Sequence, residues 1–138
     1  MHFETTIDID APLERIWRVM TDIARWPAFM PTVTSVERLG DGPPALGGRI
    51  RIKQPGLPAL LWRVTEFDEG SSFGWRSAGA GLTTVAGHTL TPRTAGASLR
   101  LTIDQSGPAA PLIGLLTKGR TTRYVRTEAE SIKRRCEG

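Results

Sequence analysis

The sequence predicts an α+β fold in which an antiparallel sheet covers one long C-terminal helix. Three observations support this prediction: a strand-like alternation opens the chain, six more alternating segments follow it, and a helical pattern without a breaker closes it. The connections between the later segments are of hairpin length, which requires antiparallel neighbours. Because such a sheet has one apolar face, we expect that face to be buried against the helix.

Length and composition set the general class of protein. The 138 residues suit one domain over residues 1–138, with a core that buries about two-thirds of the unfolded surface. No apolar run approaches the roughly 20 residues of a transmembrane helix, and no signal-peptide pattern precedes the first strand. The one cysteine, Cys136, allows no internal disulfide. We expect a cytoplasmic protein without a metal or cofactor.

The chain opens with a predicted strand and two short helices. Residues 3–9 alternate in polarity, which predicts a strand with one buried face. After Pro12, four apolar residues recur at helical spacing: Leu13, Ile16, Trp17 and Met20. A second, proline-bounded helical segment is predicted over residues 23–30.

Six further strands are predicted between residues 33 and 104. Their ranges are 33–39, 48–53, 60–65, 73–77, 82–90 and 98–104. Segments containing Gly or Pro separate them, beginning with a predicted turn at residues 41–44. The predicted order is therefore one strand, two short helices, six strands and one long helix.

The long helix is predicted over residues 111–136. Steps of three and four place one stripe against the sheet: Leu112, Leu115, Gly119, Thr122, Val125, Ala129, Ile132 and Cys136. The side chains of this stripe are large at both ends of the helix and small at Gly119 and Thr122. We therefore predict a hollow of a few hundred Å3, the size of a typical ligand site, between the sheet and this part of the helix.

The other face of this helix is basic. Residues 118–138 contain seven Lys/Arg and three Glu, and this balance of +4 equals the formal net charge of the whole chain. Nucleic-acid or anionic-membrane binding is one interpretation of such a face. We favour a solvated helix face and no nucleic acid, because the aromatic residues that stack on bases are missing there apart from Tyr124.

Several segments resemble one known family. They are the run from Ile7 to Trp17, the D-I-A-R-W-P motif at residues 22–27 with Pro31, the hairpin from Leu90 to Gly96, and the terminal helix. Together they resemble the START/pollen-allergen-like (SRPBCC) superfamily in its polyketide cyclase/dehydrase branch. The resemblance implies a helix-grip fold, in which a curved antiparallel sheet wraps around the long C-terminal helix and encloses a cavity. It also implies a hydrophobic or amphipathic small-molecule ligand, but no particular reaction.

His88 is the histidine that the strand pattern places inside the fold. Within the predicted strand 82–90 it shares a face with Ala86 and Leu90, so its ring is expected to point toward the helix. An imidazole can act as an acid or a base near neutral pH. The structural alternative is a neutral core histidine bonded to a backbone carbonyl. No second inward-facing acid is evident in the sequence.

The other candidate ligand contacts are mostly aromatic or small. With His88, which is also the one candidate catalytic residue, the predicted contacts are Trp62, Trp75, Phe73, Leu101, Phe29, Met30, Gly119 and Thr122. Clustered aromatic side chains are expected either where a ring-bearing ligand stacks or where rings fill a core.

Three functional hypotheses follow. The first is a protein that binds a hydrophobic or aromatic small molecule, and the second is a cofactor-independent polyketide cyclase/dehydratase that uses the same cavity. The third is a partner-binding domain that uses the basic helix face, and a homodimer is compatible with the sequence. A titratable group beside His88 favours the enzyme, whereas an apolar cavity without one favours binding alone.

Overall fold

The computed structural model describes residues 1–40 and 45–138 and has the predicted α+β architecture. Within these residues, seven antiparallel strands form one sheet in the order β1-β7-β6-β5-β4-β3-β2. The strands are β1 His2–Ile9, β2 Ser35–Arg38, β3 Arg49–Lys53, β4 Leu60–Asp68, β5 Ser72–Gly79, β6 Leu82–Arg93 and β7 Gly96–Ser106. The turn predicted at residues 41–44 lies outside the described residues.

The helices also follow the predicted order. They are α1 Leu13–Thr21, a 3-10 turn Ile23–Arg25, α2 Trp26–Phe29 and α3 Ala110–Glu137. Strand β1 pairs along its whole length with β7, so the first strand forms one edge of the sheet and lies next to the last strand. The curved sheet holds the 28-residue α3, so the helix-grip prediction is confirmed.

The core lies between the sheet and the C-terminal half of α3. Apolar side chains from β1, α1, β7 and α3 are completely buried there: Ile9, Ile16, Met20, Leu99 and Ile132. Strand alternation explains this arrangement, because every second residue of a strand points to the same face. The predicted helix stripe is correct in this half, where Val125, Ala129, Ile132 and Cys136 are buried.

In the first half of α3 the predicted stripe is wrong. Leu112, Leu115, Gly119 and Thr122 are exposed, and the inward face instead carries Ala110, Ile113, Gly114, Thr117 and Thr121. The physical reason is that this half faces a cavity rather than a packed core. Large apolar residues therefore do not mark its inner face, and a stripe chosen by side-chain size follows the outer face.

No helix in the described part of the chain is both long enough and apolar enough to cross a membrane.

Candidate functional site

A cavity of about 180 Å3 lies between the sheet and the first two-thirds of α3. Strands β3 to β7 contribute most of its wall, including Ile52, Trp62, Trp75, Ala86, His88 and Leu101. The helix side of the wall consists of Ile113, Thr117, Arg120, Thr121, Tyr124, Val125 and Glu128. The predicted hollow therefore exists, but it lies against the face of α3 that carries Thr117 and Thr121.

The volume of the cavity limits what it can hold. A buried apolar cavity of about 150 Å3 accepts benzene, whereas sites for drug-sized ligands measure about 300–1,000 Å3. At about 180 Å3, this cavity fits one or two rings, or one end of a larger molecule. It is smaller than the few hundred Å3 that the sequence predicts.

His88 lies on the cavity wall, as its strand position predicts. The residue is 3% exposed, and its ring stacks on Phe73 with the ring centroids 4.1 Å apart and the planes 10° apart. Trp75 meets the imidazole edge-on with the centroids 5.4 Å apart. Because rings lie on two sides of the imidazole, its orientation in the cavity is fixed.

Each ring nitrogen of His88 faces an acceptor. Nδ1 lies 3.3 Å from the backbone carbonyl oxygen of Phe73, and Nε2 lies 3.4 Å from Oε1 of Glu128. A nitrogen that bonds a carbonyl must donate, so Nδ1 carries a proton. Nε2 therefore faces the Glu128 carboxyl group, and both groups lie on the cavity wall.

Glu128 is the site residue that sequence reasoning missed. It follows Thr117 and Thr121 at steps of four and seven, which places all three on one helix face. This spacing is informative only when one knows which face of α3 is turned toward the sheet. The leucines of the first half favour the wrong face. The side chain of Glu128 is 20% exposed, so it reaches the cavity while keeping some contact with water.

Three tryptophans form the aromatic part of the wall. The ring centroids of Trp62 and Trp75 are 5.7 Å apart with a 36° tilt, and Trp26 meets Trp75 edge-on at the same distance. Trp26 also donates from its indole nitrogen to the backbone carbonyl of Val19 at 3.4 Å. These contacts hold the indoles in a continuous apolar surface beside His88.

Two side chains of α3 hold the β3–β4 turn beside the cavity. The Tyr124 hydroxyl donates to the carbonyl of Pro55 at 2.6 Å, and the Arg120 guanidinium donates to the carbonyl of Gly56 at 3.3 Å. Gln54 and Leu57 from the same turn line the cavity and are half-buried. Because Gln54 and Leu57 are half-buried, the cavity is partly open to water at this turn.

The predicted ligand contacts divide into two groups. Trp62, Trp75, His88 and Leu101 line the cavity. Phe73 lies behind the His88 ring, Met30 is buried in the core, and Phe29 packs beneath the Arg135 guanidinium. Gly119 and Thr122 are on the exposed face of α3, so the prediction that they face the cavity is wrong.

A family model described as polyketide cyclase / dehydrase and lipid transport matches residues 1–137. The chain belongs to this family. The polyketide cyclase/dehydrase branch that the sequence motifs resemble is therefore confirmed. Among curated proteins, none matches the chain in sequence.

Solved structures agree with this membership at the level of the fold. The Zhui aromatase/cyclase from Streptomyces sp. R1128 is 18% identical with a TM-score of 0.80, covering 99% of this chain and 93% of that chain. A START superfamily protein from Mycobacterium smegmatis is 18% identical with a TM-score of 0.77, covering 99% and 97%. The di-domain ARO/CYC StfQ of the steffimycin pathway is 13% identical with a TM-score of 0.80, covering 99% of this chain and half of StfQ.

The polyketide cyclase/dehydrase family includes both chemistry and lipid transport in its description. Cyclisation and transport both need an apolar cavity with a place for the polar groups of the ligand. Membership therefore supports a ligand-binding or cyclase role for the cavity without choosing between them.

Proposed function

We propose that the cavity binds a small hydrophobic, ring-bearing molecule whose carbonyl or hydroxyl group lies against His88 and Glu128. The observation that supports this proposal best is a polar pair on an otherwise largely apolar wall, beside three tryptophans. The apolar surface provides affinity, since each buried methylene contributes about 0.8 kcal/mol. The polar pair provides orientation.

The distance between His88 and Glu128 leaves room for a ligand oxygen. The 3.4 Å between Nε2 and Oε1 is longer than the roughly 2.7–3.2 Å of a good hydrogen bond. A ligand hydroxyl can donate to Nε2 or to Oε1, and a ligand carbonyl can accept a hydrogen bond from Nε2 when that nitrogen is protonated. Either contact stabilises a buried polar group that otherwise has an imperfect partner.

Native mass spectrometry of the purified full chain tests the binding proposal. We expect a co-purified or added ring-bearing hydroxyl or carbonyl compound to bind in a one-to-one complex. His88→Gln should weaken that complex about tenfold or more, because one hydrogen bond to a buried group is lost. A panel of such compounds that all fail to bind, or that bind only at several weak sites, would contradict the proposal.

A second candidate function is acid–base catalysis by the same pair, as in a cofactor-independent cyclase or dehydratase. The observation that favours it is Glu128 beside His88, because two titratable groups in contact can pass a proton between them. The unprotonated partner would remove a proton from the carbon next to a ligand carbonyl. When that proton is returned to a hydroxyl leaving the adjacent β-carbon, water is released and a carbon–carbon double bond forms, which completes a dehydration.

Deuterium exchange into cyclohexanone separates the enzyme from a binding protein. In heavy water, NMR follows the loss of the protons next to the carbonyl, and we expect the wild-type protein to accelerate this loss. Glu128→Gln and His88→Gln should each slow it by roughly 100-fold or more, the usual contribution of a positioned acid or base. Glu130→Gln, on the exposed face of the same helix, is the matched control. Ligand binding without any acceleration of the proton exchange would support the binding function and contradict the enzymatic one.

A further inference from the structure

The first half of α3 exposes three leucines that neither the core nor the cavity uses. Leu112, Leu115 and Leu116 are 63%, 67% and 75% exposed, and we call these three residues the leucine patch. Residues three and four apart are neighbours on a helix, so the three side chains form one continuous surface. Single exposed leucines are ordinary on a folded protein, but a continuous apolar surface is a mark of a binding face.

Basic side chains continue the same face toward the C-terminus. Leu112, Leu116 and Arg123 follow one another at steps of four and seven, and Arg126 is eleven residues after Leu115. Lys118, Arg123 and Arg126 are exposed. Residues 110–127 contain four Lys/Arg and no Asp or Glu. An apolar patch therefore adjoins a mainly positive one on a surface about 20 Å long. Glu4 of β1 lies beside Arg126, and Glu130 follows one turn later.

We propose that this face docks on an anionic phospholipid surface. A helix lying in the membrane interface places apolar side chains at the acyl boundary and Lys or Arg among the headgroups. Each basic residue near an anionic membrane strengthens attachment about fivefold. The leucine patch would contact the acyl boundary, and Lys118, Arg123 and Arg126 would contact the headgroups.

The same features are poorly matched to a second copy of the chain. Three leucines offer much less than the roughly 800 Å2 per partner of a stable interface. The adjoining Arg123 and Arg126 would then approach another protein with a formal net charge of +4. A negative surface complements this charge. Nucleic acid would satisfy the arginines but would leave the leucine patch in water.

The proposed face borders the open end of the cavity. Leu116 is three residues after Ile113 and four before Arg120, and both of these line the cavity. Docking through the leucine patch would place this opening next to the lipid surface, where hydrophobic molecules collect. The docking proposal does not depend on the ligand, because it follows from the exposed residues alone.

Vesicle flotation with the full chain tests the proposal. The probes are vesicles of phosphatidylcholine with about one-quarter phosphatidylserine and vesicles of phosphatidylcholine alone. We expect the wild-type protein to float with the anionic vesicles and to bind the neutral ones at least tenfold more weakly. The combined change Leu112→Gln, Leu115→Gln and Leu116→Gln should weaken anionic binding at least tenfold.

A pair of charge variants distinguishes docking through this face from a general attraction of the positively charged protein to anionic vesicles. Arg123→Gln with Arg126→Gln should weaken binding about 25-fold, from two basic residues near the surface. Arg63→Gln with Arg76→Gln removes the same charge from exposed positions on β4 and β5 and should change binding by less than about threefold. Circular dichroism should show all variants folded.

Three results would overturn the proposal. One is equal losses in the two arginine variants, and another is full binding by the leucine variant. The third is a wild-type dimer in sedimentation equilibrium that the leucine variant dissociates, which would make the patch an interface between copies. The affinity of the same leucine variant for 1-naphthol, a two-ring probe of the cavity, should be unchanged, so failure here is separate from failure of the proposed function.

Discussion

The two halves of α3 differ in what they face, although they form one continuous helix. In the C-terminal half, Val125, Ala129, Ile132 and Cys136 are buried in the core. In the first half, Thr117 and Thr121 face a cavity, and Leu112, Leu115 and Leu116 on the outer face are exposed. The contrast teaches that this helix separates two roles along its length. One half stabilises the fold, and the other leaves space for a ligand.

The largest expected difference between the halves is in stability. Ile132→Ala should lower the free energy of unfolding by about 2–5 kcal/mol, because the residue is completely buried. Leu115→Ala, at a position 67% exposed, should change it by no more than about 0.5 kcal/mol. Denaturant unfolding of both variants measures the difference. Equal losses would mean that both halves pack against the protein.

The buried half should also protect its thiol. Burial raises the pKa of the Cys136 thiol to about 11 from an ordinary value of 9.0. The thiolate fraction at pH 8 should then be roughly 100-fold lower than in the unfolded chain, and modification by a disulfide reagent should slow accordingly. The stability contributed by this neutral thiol is present below pH 9 and is lost as the pH rises through about 11.

Two measurements check the thiol prediction. The reaction rate of the folded protein is compared with that of the denatured protein, and the unfolding midpoint is followed across the alkaline window. Cys136→Ala serves as the control and should lack the thiol-dependent part of the alkaline loss. A native thiol that reacts as fast as the denatured one would show that this half opens readily.

The smallest expected effect is a gain of stability in the first half. Gly119→Ala should raise the free energy of unfolding by up to about 1 kcal/mol, because alanine favours the helix and the added carbon meets no atom within 4 Å. Gly114→Ala is the matched comparison on the inward face. Its added carbon would lie 2.8 Å from Sδ of Met1, so we expect no such gain. Thermal unfolding measures both variants. Equal changes in the unfolding midpoint would contradict the assignment of Gly119 to the outer face and Gly114 to the inner face.

Much of this fold could be predicted from the sequence because strands and turns leave local signals. The alternation of β6 placed His88 correctly, and the turn-length connections gave the antiparallel order. The rotation of α3 was not predictable in its first half, because a cavity accepts small and polar residues on the inner face. Gly119 and Thr122 are misplaced for this reason. Glu128 precedes Ala129 at the edge of the correctly predicted stripe, where a charged side chain is expected to be solvated rather than to border a cavity.

The central claim is that the inward face of α3 at Thr121 borders a ligand cavity, while Thr122 next to it faces water. Titration calorimetry with 1-naphthol, a two-ring hydroxyl compound, tests it in the wild type, Thr121→Leu and Thr122→Leu. We expect wild type and Thr122→Leu to bind equally, and Thr121→Leu to lose binding while its unfolding midpoint falls little, since leucine fills empty space. Equal binding by all three proteins, or no binding to the wild type, would contradict the account. So would a large loss of stability in Thr121→Leu, which would indicate close packing at this position.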